Sequence, residues 1–339
     1  MQTLSRTSIN TSLDSHKAYV HTRVLSEQHE FSPKPKRTHS QRARDKGKSK
    51  QILSDLARAS GCADLSNNLT RCHANLSVIT CGQHIAKVLP DYTCGFRLCP
   101  DCARRRASKF MRKYLPAVMG FVGVSNTQAC LLTLTQEKRS ETLQTSVKRI
   151  TASFKALRRS KIFETYFKGG LFTVEFTVDR EGRYHTHIHA LVFRVRQLTR
   201  EDLQELKDRW SEITGGSQVI NLTWINPQQS GGIRAGVKEV IKYAVKPADI
   251  ARLTPEHLAD FIAMKRQRMF GTFGDFQKFY QTYEPEPESL LPFVEHRAGE
   301  PCDECGQPLF DVRIKGKDLP DFLTRIELSS SRRSSSRRE

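Results

Sequence analysis

Apolar and polar residues alternate most regularly between Leu171 and Val195, and this alternation predicts two strands, Leu171–Asp179 and His185–Val195. Side chains two apart on a strand share a face. Phe172, Val174, Phe176 and Val178 therefore form the apolar side of the first strand, and Thr186, Ile188, Ala190 and Val192 that of the second. Similar patterning predicts strands at Ala129–Thr135 and Gln218–Trp224. The 3.6-residue period predicts helices at about 140–158, at about 200–213 and in a segment ending at Lys246, where Pro247 stops it. Ala103–Tyr114 reads as a basic helix. A hairpin flanked by crossing helices implies an α+β fold, an antiparallel sheet with helices packed on one face.

The residues on the polar side of the hairpin carry chemistry. His185, His187 and His189 share one face of the second strand, and Thr173, Glu175 and Thr177 share one face of the first. A three-residue loop, Arg180-Glu181-Gly182, with glycine in the left-handed position, closes the hairpin and pairs Asp179 with Arg183. The same register sets Glu175 opposite His187 and Thr173 opposite His189. Opposed Cβ atoms lie about 5 Å apart, so one carboxylate and two imidazoles converge. That donor set suits a divalent cation such as Mg or Mn. His185 is expected to be an ordinary strand residue. A metallo-hydrolase of the HxHxDH type also uses such a strand, but Ala190 and Leu191 stand where it needs Asp and His.

In the later helix Glu239, Lys242, Tyr243 and Lys246 fall on one face, with Val240, Ile241, Ala244 and Val245 opposite. A phenol and a carboxylate one turn apart between two cations suit phosphodiester chemistry, because nearby positive charge makes tyrosine a better nucleophile. Alone, the segment reads as an amphipathic helix.

Nine cysteines include Cys99-Pro-Asp-Cys102 and Cys302-Asp-Glu-Cys305 pairs. An odd number with CxxC spacing argues for reduced thiols and metal rather than disulfides. Cys94, Cys99, Cys102, Cys302 and Cys305 are the candidate zinc ligands. The economical expectation is one site shared by both pairs; the alternative completes Cys94, Cys99 and Cys102 with Cys81 or His84. Cys130, inside a strand, reads as a buried apolar thiol.

Charge changes the picture further. The 339 residues carry a formal net charge of +19. Residues 1–50 hold +7 and the Ser/Arg run 329–339 holds +3, leaving +9 between them. Both ends are expected to be disordered basic tails. A surplus this large points to a polyanion such as nucleic acid. The longest apolar stretch, Leu115–Val124, is too short to span a bilayer, so no membrane association and a cytoplasmic location are expected.

Several of these segments together resemble the plasmid rolling-circle replication initiators of the HUH endonuclease superfamily, of the type using one Tyr and one Glu. His187-Ile188-His189 resembles the His-hydrophobic-His motif, LLTLT at 131–135 the first motif, EVIKYAVK at 239–246 the Glu-x-x-Lys-Tyr segment, and CGFRLCPDCARRR at 94–106 the preceding Cys-rich run. The resemblance implies that His187 and His189 bind the catalytic metal, with Glu175 inferred as third ligand. It implies that Tyr243 attacks origin DNA, giving a 5′-phosphotyrosyl link and a 3′-OH primer, and that Glu239 activates water. Lys242 and Lys246 would contact phosphate. Expected partners are single- and double-stranded DNA at a plasmid origin and the host helicase and polymerase. Transposases and relaxases share the motif; a non-catalytic, zinc-dependent nucleic-acid-binding regulator is the alternative of another class. The implied organisation is a tail at 1–50, a Cys-rich nucleic-acid-binding segment at 51–125, an HUH endonuclease domain at 126–282, a CxxC segment at 283–328 and a tail at 329–339.

Overall fold

The computed structural model describes residues 38–217, 219–225, 232–241, 250–264, 267–284 and 297–326. In chain order these give α1 (His39–Ala59), α2 (Ala63–Arg71), β1 (Asn75–Thr80), β2 (Ile85–Pro90), α3 (Pro100–Ser125) and β3 (Gln128–Thr135). There follow α4 (Leu143–Leu157), α5 (Lys161–Tyr166), β4 (Phe167–Val178), β5 (Tyr184–Arg194), α6 (Arg200–Thr214) and β6 (Ile220–Trp224). The last are α7 (Gly232–Val240), α8 (Pro255–Ala263), β7 (Phe270–Phe273), α9 (Gly274–Thr282) and β8 (Phe310–Lys315).

The strands form two antiparallel sheets, a large one ordered β6-β3-β5-β4-β7 and a small one ordered β2-β1-β8. The α+β class holds. On one face of the large sheet, Leu132, Leu134, Val174, Phe176 and Ile188 pack with Ile150 and Phe154 of α4 and Trp210 of α6. On the other, Leu171, Leu191 and Phe193 pack with Phe121 of α3, Val237 and Val240 of α7 and Phe276 of α9. Helices therefore cover both faces, more than the one expected. The second layer arises because the sheet's polar face turns apolar beyond His189, at Leu191 and Phe193.

The structure differs from the sequence expectation at residues 39–50 and in where the late CxxC segment docks. Residues 39–50 are not a solvated tail but the start of α1. Thr38 and Gln41 cap it reciprocally, the Thr38 hydroxyl accepting from Gln41 N at 3.2 Å and Gln41 Oε1 from Thr38 N at 2.9 Å. Lys46 and Lys50, counted with the tail charge, each lie 3.4 Å from the Asp101 carboxylate on α3. The late CxxC segment does fold back on the Cys-rich region, as expected, but onto β1 and not onto residues 94–106: β8 pairs with β1 from Asn75↔Lys315 to Thr80↔Phe310. Residues 1–37 and 327–339 lie outside the described residues. Among the described residues, no helix is long and apolar enough to cross a membrane.

Candidate metal centres and nuclease site

The β4–β5 hairpin has the register that its loop dictates: Thr177↔His185, Glu175↔His187 and Thr173↔His189. Gly182, at φ 78°, supplies the left-handed residue. Asp179 accepts from the amides of Glu181 and Arg183, each at 3.0 Å, which ties the loop to its own stem.

Glu175, 2% exposed, is surrounded by the two imidazoles. Its Oε2 lies 3.3 Å from His187 Nε2 and 3.5 Å from His189 Nε2. Burial alone would raise its carboxyl pKa, but hydrogen bonds and charge from His187 and His189 outweigh burial and hold it at about 2. Oε1 is buried with no hydrogen-bond partner among the described residues, so a carboxylate oxygen is left over for a further ligand. One donor atom from each of Glu175, His187 and His189 lies within 4.8 Å of the others. Two nitrogens and a carboxylate at that spacing could hold a divalent cation, with water completing its shell. His185 sits beside them, its ring 5.8 Å from that of His187, but outside the cluster.

The helix assigned to tyrosine chemistry is described only in part. α7 crosses the sheet on the histidine side, and a Cβ added at Gly236 would press on Ile225 and come within 3.1 Å of Leu191, two residues beyond His189. Glu239 is half-buried in the last turn of α7. Lys242, Tyr243 and Lys246 lie outside the described residues.

The cysteines fall into two clusters rather than the single shared site expected from the CxxC pairs. Cys94, Cys99 and Cys102 are completed by Cys72, not by Cys81 or His84; the late pair meets Cys81 and His84 instead. The reason is topological. Cys72 caps the C-terminus of α2 beside the N-terminus of α3, whereas β8 carries Cys302 and Cys305 to the far end of β1.

In the first cluster Cys72 Sγ lies 3.7 Å from Cys99 Sγ and 3.5 Å from Cys102 Sγ, and Cys94 Sγ lies 3.5 Å from Cys102 Sγ. Zinc–sulfur bonds of about 2.3 Å in a tetrahedron require sulfurs about 3.8 Å apart, so the four thiols could bind zinc. Hydrogen bonds from Cys72, Cys94 and Cys99 push the Cys102 thiol well below its ordinary range. Cys130 belongs to neither cluster, and burial pushes its thiol up to about 12.

Comparison with known proteins now bears on this geometry. A family model described as replication protein, Rep_1, matches residues 86–304, well over half of the chain. The chain belongs to this family. A Protein rep from Lactiplantibacillus plantarum is 26% identical over 182 residues, covering 50% of this chain and 57% of that protein. A Protein rep from Lentilactobacillus hilgardii is 23% identical over 197 residues, covering 55% of this chain and 63% of that one. A third, from Staphylococcus aureus, is 27% identical over 171 residues, covering 48% of this chain and 73% of its own length. The chain thus spans about three fifths of the first two relatives. No solved structure matches it.

Within this chain, the family match takes in β3, the β4–β5 hairpin and α7, but starts after Cys72, Cys81 and His84 and stops before Cys305. Cys72 is the candidate ligand that the sequence reading passed over, because it has no CxxC partner. The available signal was the crowding of six cysteines between positions 62 and 102. Thr133 was also missed as a site residue: its hydroxyl lies 3.1 Å from His189 Nδ1.

Proposed function

We propose that this replication protein is a plasmid replication initiator that nicks one strand at the origin, with Tyr243 as nucleophile. The observation that carries the reading is the convergence of Glu175, His187 and His189 on one face of the hairpin, in a chain of the Rep_1 family. A divalent cation, Mg or Mn, held by these three residues would polarise the scissile phosphate and neutralise its charge.

The Tyr243 oxygen attacks phosphorus and the 3′ oxygen leaves, giving a 5′-phosphotyrosyl bond and a 3′-OH that primes synthesis. The phosphotyrosyl bond conserves the energy of the phosphodiester, so strand closure needs no nucleotide cofactor. Glu239 acts as the base that activates water at termination, and Lys242 and Lys246 hold the phosphate. Positioning and charge supply most of the rate in such phosphoryl transfer. Cys72, Cys94, Cys99 and Cys102 could hold zinc, which would lock α2 to α3. The 3′-OH end is handed to the host's helicase and polymerase in the cytoplasm.

The test is cleavage of labelled single-stranded oligonucleotides tiled across the plasmid origin, with Mn present. The expected result is cleavage by the unaltered chain at one site and none by His187→Ala or His189→Ala. A non-catalytic DNA-binding regulator would bind these oligonucleotides and cut none.

A further inference from the structure

The second cysteine cluster has a shape and a setting that the nicking reading does not use. Cys81 Sγ lies 3.6 Å from Cys305 Sγ and 3.6 Å from His84 Nδ1, and Cys302 Sγ lies 3.7 Å from the same nitrogen. Three sulfurs and one imidazole nitrogen at these separations match the edges of a tetrahedral zinc site, about 3.8 Å between sulfurs and slightly less from sulfur to nitrogen.

The backbone around each donor pair is already folded for such a site. Cys81 and His84 flank the β1–β2 turn, where the His84 amide points at Cys81 Sγ at 3.3 Å and Gly82 takes φ 86°. Cys302 and Cys305 occupy the tip of a second hairpin, closed by Gly306 N to Cys302 O at 2.7 Å and Cys302 N to Gln307 O at 2.8 Å, with Gly306 at φ 71°. Two facing turns, each offering two donors and each containing a left-handed glycine, direct their side chains at a common point.

Apolar packing does not account for the junction. Its buried cluster consists of Ile79, Cys81, Cys302 and Leu309, with Ala86 half-buried against it. Phe310, Asp311, Arg313 and Lys315 of β8 are exposed. Ile79 and Leu309, with half-buried Val312 and Ile314 opposite Val78 and Leu76 on the other face, are few to offset the conformational entropy lost on ordering residues 297–315. Small units with cores of this size usually depend on metal.

We propose that Cys81, His84, Cys302 and Cys305 bind a second zinc ion, and that this ion is the clasp that fastens residues 297–315 to the β1–β2 hairpin. The first cluster is enclosed by the main core, whereas Cys305 is exposed. The clasp zinc is therefore the one that a chelator removes first, and the large sheet survives its loss. This inference does not rest on the nicking reading.

The experiment is zinc content by elemental analysis of the full chain, with hydrogen exchange followed by mass spectrometry. Cys305→Ala is expected to hold one zinc fewer per chain than the unaltered protein. Its peptides covering β8 should exchange at least tenfold faster while those covering β4 and β5 are unchanged. Cys305→His, which restores a zinc donor, is expected to keep both the ion and the protection. An unchanged zinc content in Cys305→Ala would overturn the proposal, and so would loss of the ion with β8 still protected. Stepwise chelation of the unaltered chain reads the same exchange without any substitution: β8 should deprotect with the first zinc lost, and a β8 that stays protected until both are gone contradicts the clasp.

Discussion

Thr133 Oγ1 and His189 Nδ1 lie 3.1 Å apart, directly opposed across the β3–β5 pairing. With an ion bound, a proton on Nδ1 donated to this hydroxyl would leave the Nε2 lone pair free for the metal, the orientation a metal ligand needs. Thr133→Val keeps the shape and removes the acceptor. Partners of this kind contribute about 10–100-fold to metal affinity. Titration calorimetry with Mn should show a loss of that size in a normally folded variant, with activity recovering at higher Mn. Unchanged affinity would mean that Thr133 does not orient the ring.

Asp179 holds the loop that sets the register of Glu175 against His187. Amide hydrogen bonds from Arg183 and Glu181, joined by the Arg183 and Lys138 side chains, depress its carboxyl pKa from 3.8 to about 2. A depressed carboxylate stabilises the folded chain above its unfolded pKa, and the effect is lost as pH falls through the folded one. Asp179→Ala should therefore lower the melting temperature by a few degrees at pH 6. The gap between variant and unaltered chain should narrow as pH drops from about 4 towards 2. A gap that does not change with pH would assign the loss to packing instead.

Gly170 lies in β4, opposite Val192, where an added Cβ would strike the backbone carbonyl of Leu191. A backbone oxygen cannot rotate aside as a side-chain end can. Gly170→Ala should cost about 1–3 kcal/mol in denaturant unfolding. Alanine at Gly123, where nothing lies within 4 Å of the added carbon, is the control and should cost nothing by collision.

Cys99 and Cys130 are both fully buried, yet only Cys99 belongs to a cluster that could hold a metal. Cys99→Ser should lose zinc and lower the melting temperature far more than Cys130→Ala, which trims one sulfur from an apolar strand. Equal zinc contents for the two variants would show that the four-thiol cluster does not hold the ion.

The β4–β5 hairpin was legible because two local signals agree: strict alternation on both strands, and a loop whose glycine allows one closure. The same locality explains what was not legible. Residues 39–50 look like a basic tail because Lys46 and Lys50 are charged, and only the fold supplies Asp101 as their counter-ion. The cluster partners of Cys302 and Cys305 stand more than 200 positions earlier, with the whole large sheet between them in sequence, and no spacing rule reaches that far. Helix cover on the histidine face was missed because Leu191 and Phe193 read as the end of a polar strand face, when they begin a second core. Tyr243 was proposed from the sequence and lies outside the described residues, so its role rests on motif order and on the partly described α7 that leads to it.

Mass spectrometry of the covalent adduct tests the central claim most directly. The full chain is incubated with Mn and the origin oligonucleotide that it cuts, digested, and the peptide carrying nucleotide is sequenced. The expected result is a 5′-phosphate joined to Tyr243, absent in Tyr243→Phe and still formed in Glu239→Ala. Cleavage without any adduct, or an adduct on a different residue that persists in Tyr243→Phe, would contradict it.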